Sequence, residues 1–208
     1  MEVYLVRHGQ TGGNTAHRHQ IETTRLTFKG EAQAKEAAKR IAKLQPTHLL
    51  TSPMMRALET ARIIGKECDL IPETSVVFAE LERPSNLDGN YHVSFNSLIY
   101  YFLWYFGLFK PVDGTGEPYK SFRARIAAAR DYLETLPTDA RVVVVSHSVF
   151  INLYIAHVCR NKPLGLLAAM KVFRKVLTTR NTEINQLTYN PEAQPGTCAW
   201  QLQKSLES

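Results

Sequence analysis

Two histidines and two arginines stand where apolar runs of this chain stop. Val3-Tyr4-Leu5-Val6 ends in Arg7-His8-Gly9, and Val142-Val143-Val144-Val145 ends in Ser146-His147. His48-Leu49-Leu50 gives way to Thr51-Ser52, with Arg56 one helical turn later, and Val76-Val77-Phe78 gives way to Ala79-Glu80. Guanidinium groups grip phosphate oxygens through paired N–H bonds. Imidazole attacks phosphorus and divides one hard transfer into two easier ones. A carboxyl group protonates a leaving oxygen and then deprotonates water. Together these groups would move a phosphoryl group with neither cofactor nor metal, because arginines and histidines neutralise the equatorial oxygens. Taken singly, each residue is ordinary: a histidine at a strand end is usually a satisfied polar group, and an arginine on a helix is usually solvated. Their joint placement carries the argument.

That placement requires the apolar runs to be neighbouring strands. The valine run at 142–145 is continuous and β-branched, as in a central strand covered on both faces. Ala34, Ala37, Ala38 and Ile41 fall at helical spacing and stop before Pro46. Ser52-Pro53 reads as a helix start, with serine as cap and proline at the first helical position. Phe122, Ile126, Ala129, Leu133 and Leu136 repeat at helical steps before Pro137. A helix is predicted over 149–158, and two late strands over 184–189 and 197–202, joined by a Pro/Gly loop. Alternating strands and helices predict an α/β fold: a three-layer sandwich with a mostly parallel central sheet and helices on both faces. Ligands of such sheets bind beyond the carboxyl ends of the strands, where these residues stand.

The chain of 208 residues suits a single domain, 1–208, with residues 83–117 inserted as an aromatic-rich lid. With 44% hydrophobic and 21% charged residues, disorder is excluded. The net charge of +6 suits an anionic partner without naming one. Arg160, Lys162, Lys171, Arg174, Lys175 and Arg180 come with no acidic residue among them. A solvated helix face near an anion site explains them more simply than nucleic acid, which is not expected as a partner. Leu98 to Phe109 is too short to span a bilayer, which takes about 20 helical residues, so no membrane association is expected. Cys68, Cys159 and Cys198 are scattered and lack metal-ligand spacing, which suggests free thiols in a reducing compartment. The opening residues show no signal-peptide pattern, so a cytoplasmic location is expected.

Arg7-His8-Gly9-Gln10-Thr11, followed by Asn14, resembles the opening motif of the histidine phosphatase superfamily, the phosphoglycerate-mutase-like group. Leu26-Thr27-Phe28-Lys29-Gly30-Glu31-Ala32-Gln33-Ala34 is similar to the segment leading into the family's first helix. Ser52-Pro53-Met54-Met55-Arg56-Ala57-Leu58-Glu59-Thr60-Ala61 is similar to its second signature, and Val145-Ser146-His147 to its last. The resemblance implies that His8 becomes phosphohistidine, that Arg7, Arg56 and His147 form the phosphate pocket, and that Asn14 is an accessory ligand. It implies Glu80 as proton donor. The chain departs from the commoner pattern at Gln10, where Glu is frequent, and at Ser148, where Gly is usual. The segment Glu80-Leu81-Glu82-Arg83-Pro84-Ser85 also lacks the frequent Trp-Glu-Gly continuation, which leaves Glu82 as an alternative donor to Glu80.

The segment 83–117 holds Arg83 and Lys110 as its only strong bases and is dense in aromatics from Tyr100 to Phe109. A small, densely charged phosphoglycerate would want more cations. An aromatic wall suits a phosphoester with an organic body, although the aromatics could equally pack the segment on the core or form a homodimer interface. The expectation is therefore a phosphatase acting on a small phosphorylated metabolite. The alternatives are a phosphoglycerate-type phosphomutase and a non-catalytic phosphate-recognising or basic binding module.

Overall fold

The computed structural model describes residues 1–111, 114–160, 162–194 and 196–206, the last three as backbone only. Six strands form one mixed sheet. β1 (Glu2–Arg7), β2 (His48–Thr51), β3 (Glu73–Thr74), β4 (Arg141–Ser146), β5 (Ile184–Tyr189) and β6 (Trp200–Leu206) lie in the order β3-β2-β4-β1-β5-β6. The first four in that order pair in parallel, whereas β5 and β6 are antiparallel to their neighbours.

Alternation along the strands divides the core in two. Tyr4, Val6, Val143 and Val145 face one way, against Ala37, Ala38 and Ile41 of α2 (Phe28–Ala42) and Ala57, Ala61 and Ile64 of α3 (Met55–Cys68). Val3, Leu5, Val142 and Val144 face the other way, against α5 (Tyr119–Glu134) and α6 (Ser148–His157). The valines of β4 are fully buried, as a strand covered on both faces requires. The expected three-layer α/β sandwich is observed. Because α6 is apolar around most of its circumference, it is buried for most of its length.

Three local expectations are corrected. Val76–Phe78 is a 3-10 turn, and the third strand is instead the pair Glu73–Thr74. Pairing ends where β2 ends, and of the three apolar residues Phe78 alone is buried, so the composition that suggested a strand serves a single inward anchor. Ser52 does not cap a helix; α3 begins at Met55 after Met54, and Pro53 lies outside it. Cys159 and Cys198 form a disulfide with Cα atoms 5.5 Å apart, an ordinary span for such a bond. It ties the chain after α6 to the segment entering β6, and it removes the argument from cysteine usage for a reducing compartment. Only Cys68 is a free thiol.

The segment 83–117 contains a 3-10 turn at Ser85–Leu87 and the helix α4 (Phe95–Tyr105). Ser94 caps α4 by accepting from Ser97 N–H, and Trp104 donates its indole N–H to the Glu117 carbonyl at 2.8 Å. The basic stretch carries a further helix, α7 (Leu166–Thr178). Among the described residues no helix is long and apolar enough to cross a membrane.

Thiol titration of the denatured, non-reduced protein should find the Cys68 thiol alone. Reaction of Cys159 and Cys198 without reductant would contradict the disulfide.

Candidate active site

The carboxyl edge of the parallel strands gathers the expected residues. His8 follows β1, and its backbone N–H donates to the Ser146 carbonyl at 3.0 Å, extending the β1–β4 ladder. His147 follows β4 directly, and the two imidazole rings stand 5.1 Å apart, centre to centre. Gly9 lets the chain turn here against the start of α2: a Cβ at Gly9 would lie 2.5 Å from the Gly30 carbonyl oxygen. His8 is buried, and its Nδ1 lies 2.7 Å from the Gly9 carbonyl. A carbonyl only accepts, so this bond places the ring proton on Nδ1 and leaves the Nε2 lone pair free.

Arg7 donates from one terminal nitrogen to the Thr179 carbonyl. Arg56, in the first turn of α3, donates to the Ile21 carbonyl at 3.0 Å and contacts Met54 Sδ. Ser52, the misread cap, holds His147 through a 2.7 Å contact between its Oγ and the ring Nε2. Arg7 Nε, Arg56 Nε and His147 Nδ1 are buried without a partner. Buried donors left unmade are costly, and an anion with several oxygens would satisfy them. Asn14, in the short helix α1 (Gly12–Thr15), has its side-chain oxygen occupied by Thr11 and by Asn181. Its amide N–H groups are therefore the end left for a ligand.

Glu80 reaches the same cavity by an indirect route. The Phe78 ring packs edge-on against Phe150. Arg125, ion-paired with Glu117 at 2.6 Å, donates to the Ala79 and Glu80 carbonyls and fixes the chain between them. The Glu80 carboxylate accepts from the Val149 and Phe150 N–H groups at the start of α6, and from Leu81 N–H. A carboxylate at a helix N-terminus is favourably placed. Glu82 is exposed and accepts from Gly116 N–H, outside the cavity wall. The structure therefore brings together Arg7, His8, Asn14, Arg56, Glu80 and His147, and leaves Glu82 aside.

Four further cavity residues escaped the sequence reading. Asn181 donates to the His8 carbonyl at 3.0 Å and to Asn14. Arg83 donates to the Tyr101 hydroxyl at 3.1 Å and points a base from the inserted segment into the cavity wall. Burial works against its charge, but the Tyr101 hydroxyl and the Glu80 carboxylate outweigh it and hold the guanidinium above its ordinary pKa. The His19 and His92 rings meet at a tilt with centres 4.8 Å apart, and His19 contacts Ser97 at the head of α4, joining the first loop to the insertion. None of the four has a motif that marks it; each is placed by tertiary packing. Among the described residues no cluster of His, Cys, Asp and Glu could hold a metal ion.

Burial, then the positive charge of Arg56 and Arg7, pushes His8 well below the usual imidazole range, and burial and the same arginines do so for His147. Both rings are neutral near neutral pH, as a nucleophilic imidazole must be. Burial likewise lowers Arg56 to about 10, still protonated near neutrality.

The chain belongs to the histidine phosphatase superfamily, branch 1, whose sequence profile matches residues 3–196. It is 31% identical over 198 residues to a probable phosphoglycerate mutase of Erwinia tasmaniensis, covering 91% of this chain and 85% of that one. A counterpart in Escherichia coli matches to the same degree. Among solved structures, a mycobacterial glucosyl-3-phosphoglycerate phosphatase superposes with a TM-score of 0.73 at 23% identity, covering 97% and 96% of the two chains. A phosphoserine phosphatase from Entamoeba histolytica superposes with a TM-score of 0.72 at 24% identity, covering 98% and 95%. The two solved structures share the fold with this chain.

The depressed histidines have a consequence for stability. Burial also lowers His19 to about 3 and His157 to about 4. A base whose folded pKa lies below its unfolded value gives up stability as pH falls below that unfolded value, because the unfolded chain takes the proton first. The melting temperature should therefore fall steadily from about pH 7 to pH 5, around the ordinary imidazole pKa. Inorganic phosphate, by supplying acceptors to Arg7, Arg56 and His147, should raise it. A flat pH profile, or no shift with phosphate, would contradict this electrostatic account.

Proposed function

We propose that the protein hydrolyses a phosphomonoester through a phosphohistidine at His8. The observation that carries this reading is the Nδ1 bond of His8 to the Gly9 carbonyl, which leaves Nε2 unprotonated beside Arg7, Arg56 and His147. The ester phosphate sits among those three groups and the Asn14 amide. His8 Nε2 forms a bond to phosphorus while the bond from phosphorus to the ester oxygen breaks. Glu80 gives its proton to that oxygen and the alcohol departs. Glu80 then takes a proton from water, the resulting hydroxide bonds to phosphorus, and the N–P bond breaks to return free His8 and inorganic phosphate. Arg7 and Arg56 balance the charge on the equatorial oxygens throughout and His147 donates a hydrogen bond to them, so the steps call on no metal.

Hydrolysis is favoured over mutase chemistry by the walls. The cavity measures about 730 Å³ and is bordered mainly by apolar and aromatic side chains from α4, α6 and α7. A phosphomutase must hold a small, multiply charged substrate and keep water out, and here Arg83 is the one strong base that the inserted segment adds to the wall. The mutase reading is supported by the names of the relatives that match at 31% identity. The segment 83–117 is proposed to act as the lid over this cavity within a single domain.

Rapid acid-free quenching with a labelled phosphomonoester should trap label on the protein in an acid-labile form, and His8→Ala should abolish it. Label that persists in His8→Ala would reassign the nucleophile. Glu80→Gln should lower turnover of a poor leaving group by about 10²- to 10⁴-fold, the usual worth of a general acid. Glu82→Gln should stay within a few-fold of the parent, and the reverse order would move the donor to Glu82.

A further inference from the structure

The cavity extends well past what a phosphate group needs. Beyond His8 and Arg56 its wall continues through Val149 and Leu153 of α6, Leu98 and Phe102 of α4, and Ala169 and Val172 of α7. It also borders Tyr119, whose hydroxyl contacts His157 Nε2 at 3.0 Å, at the last residue of α6. Its wall includes residues from Leu166 to Leu177 of α7, a span of about 16 Å at 1.5 Å per residue, and from Ser148 to Leu153 of α6. A three-carbon phosphoester would occupy only its beginning.

The chemistry of this arm is one-sided. The polar tips that could serve it are already engaged. Tyr105 donates to the Leu164 carbonyl, Trp104 to the Glu117 carbonyl, and the Tyr119 hydroxyl is matched to His157. Little remains there to meet the hydroxyls of a sugar or the charges of an amino acid. The helices beside it are also under-packed for their composition. None of the 13 residues of α7 is buried, although most are apolar. Met170 and Leu177 of α7, and Phe102 and Phe106 across from them, remain about half exposed at the cavity. A contiguous apolar surface of this kind marks a binding site. Lys171, Arg174 and Lys175 are interleaved with the apolar residues of α7, and Arg174 borders the cavity itself, which suits the approach of an anionic head.

We propose that this arm takes the hydrocarbon chain of the substrate, which is a phosphomonoester of an alcohol bearing a single long apolar chain. The phosphate lies at His8 and the chain runs along α6 between α4 and α7. The inference rests on the phosphomonoesterase reading and names the class of its alcohol.

The test is a series of ethyl, butyl, octyl and dodecyl phosphates, each kept below its micelle-forming concentration. kcat/KM should rise by about threefold per added methylene, close to the full value of burying one, and then level off. Ala169→Trp, which fills the arm, should abolish the rise, so that dodecyl phosphate loses its advantage over ethyl phosphate within that variant. Turnover of all four esters at one rate would overturn the inference and leave the phosphomonoesterase reading intact. No turnover of any ester by folded protein would overturn both. A flat profile from a dimer that Met170→Glu dissociates would assign the apolar face to a second copy of the chain and likewise overturn the inference.

Discussion

The parallel pairing of β1 with β4 is the constraint on which the site depends. Register sets Arg7 opposite Ser146, so the residues that follow, His8 and His147, leave the sheet side by side. The backbone bond from His8 N–H to the Ser146 carbonyl carries that registration one residue past the strands. A slip of one residue would turn His8 to the other face of the sheet. β2, paired in parallel with β4 on its other side, then delivers Ser52 to His147 and, through α3, Arg56. The site is thus built from sheet register first and from side-chain bonds second.

Burial makes that arrangement reactive at some cost. His8, His147, Arg7 and Arg56 are all pushed toward their neutral forms by loss of solvent, and Arg7 makes Arg56, and both arginines make the two histidines, harder to charge. Beside this repulsion stand Arg7 Nε, Arg56 Nε and His147 Nδ1, buried without a partner. A phosphoryl dianion would relieve both at once, so on the proposed mechanism phosphate binding and the neutrality of His8 have one cause. Glu80 opposes these shifts in both arginines and is itself held by the N-terminus of α6. One helix therefore carries both the N–H groups that hold Glu80 and part of the apolar wall, at Val149 and Leu153.

The strand-end residues were legible because a continuous valine run and a short apolar opening can hardly be anything but buried parallel strands. Glu80 follows an apolar triplet as a strand-end residue would, but the triplet is a turn anchored by Phe78 and Arg125. Ser52 followed by proline carried a true local signal for a helix start, overridden because its hydroxyl is better used on His147. Asn181, His19 and His92 left no trace in the sequence, and Arg83 showed only as a base of the inserted segment, since each acts through contacts with residues far along the chain. The disulfide was hidden in the same way, its cysteines lying 39 residues apart and meeting only after β5 and β6 fold back. The helix α7 was passed over because bases interrupt its apolar residues, and that pattern is the one expected of a helix facing a cavity on one side and water on the other.

On the proposed mechanism phosphorus is attacked twice, first by His8 and then by water or another acceptor. Stereochemistry at phosphorus reads this directly. Transfer from an isotopically chiral phosphomonoester to an added alcohol should proceed with net retention, because two in-line displacements restore the starting configuration. Net inversion would mean a single direct displacement and would contradict the account.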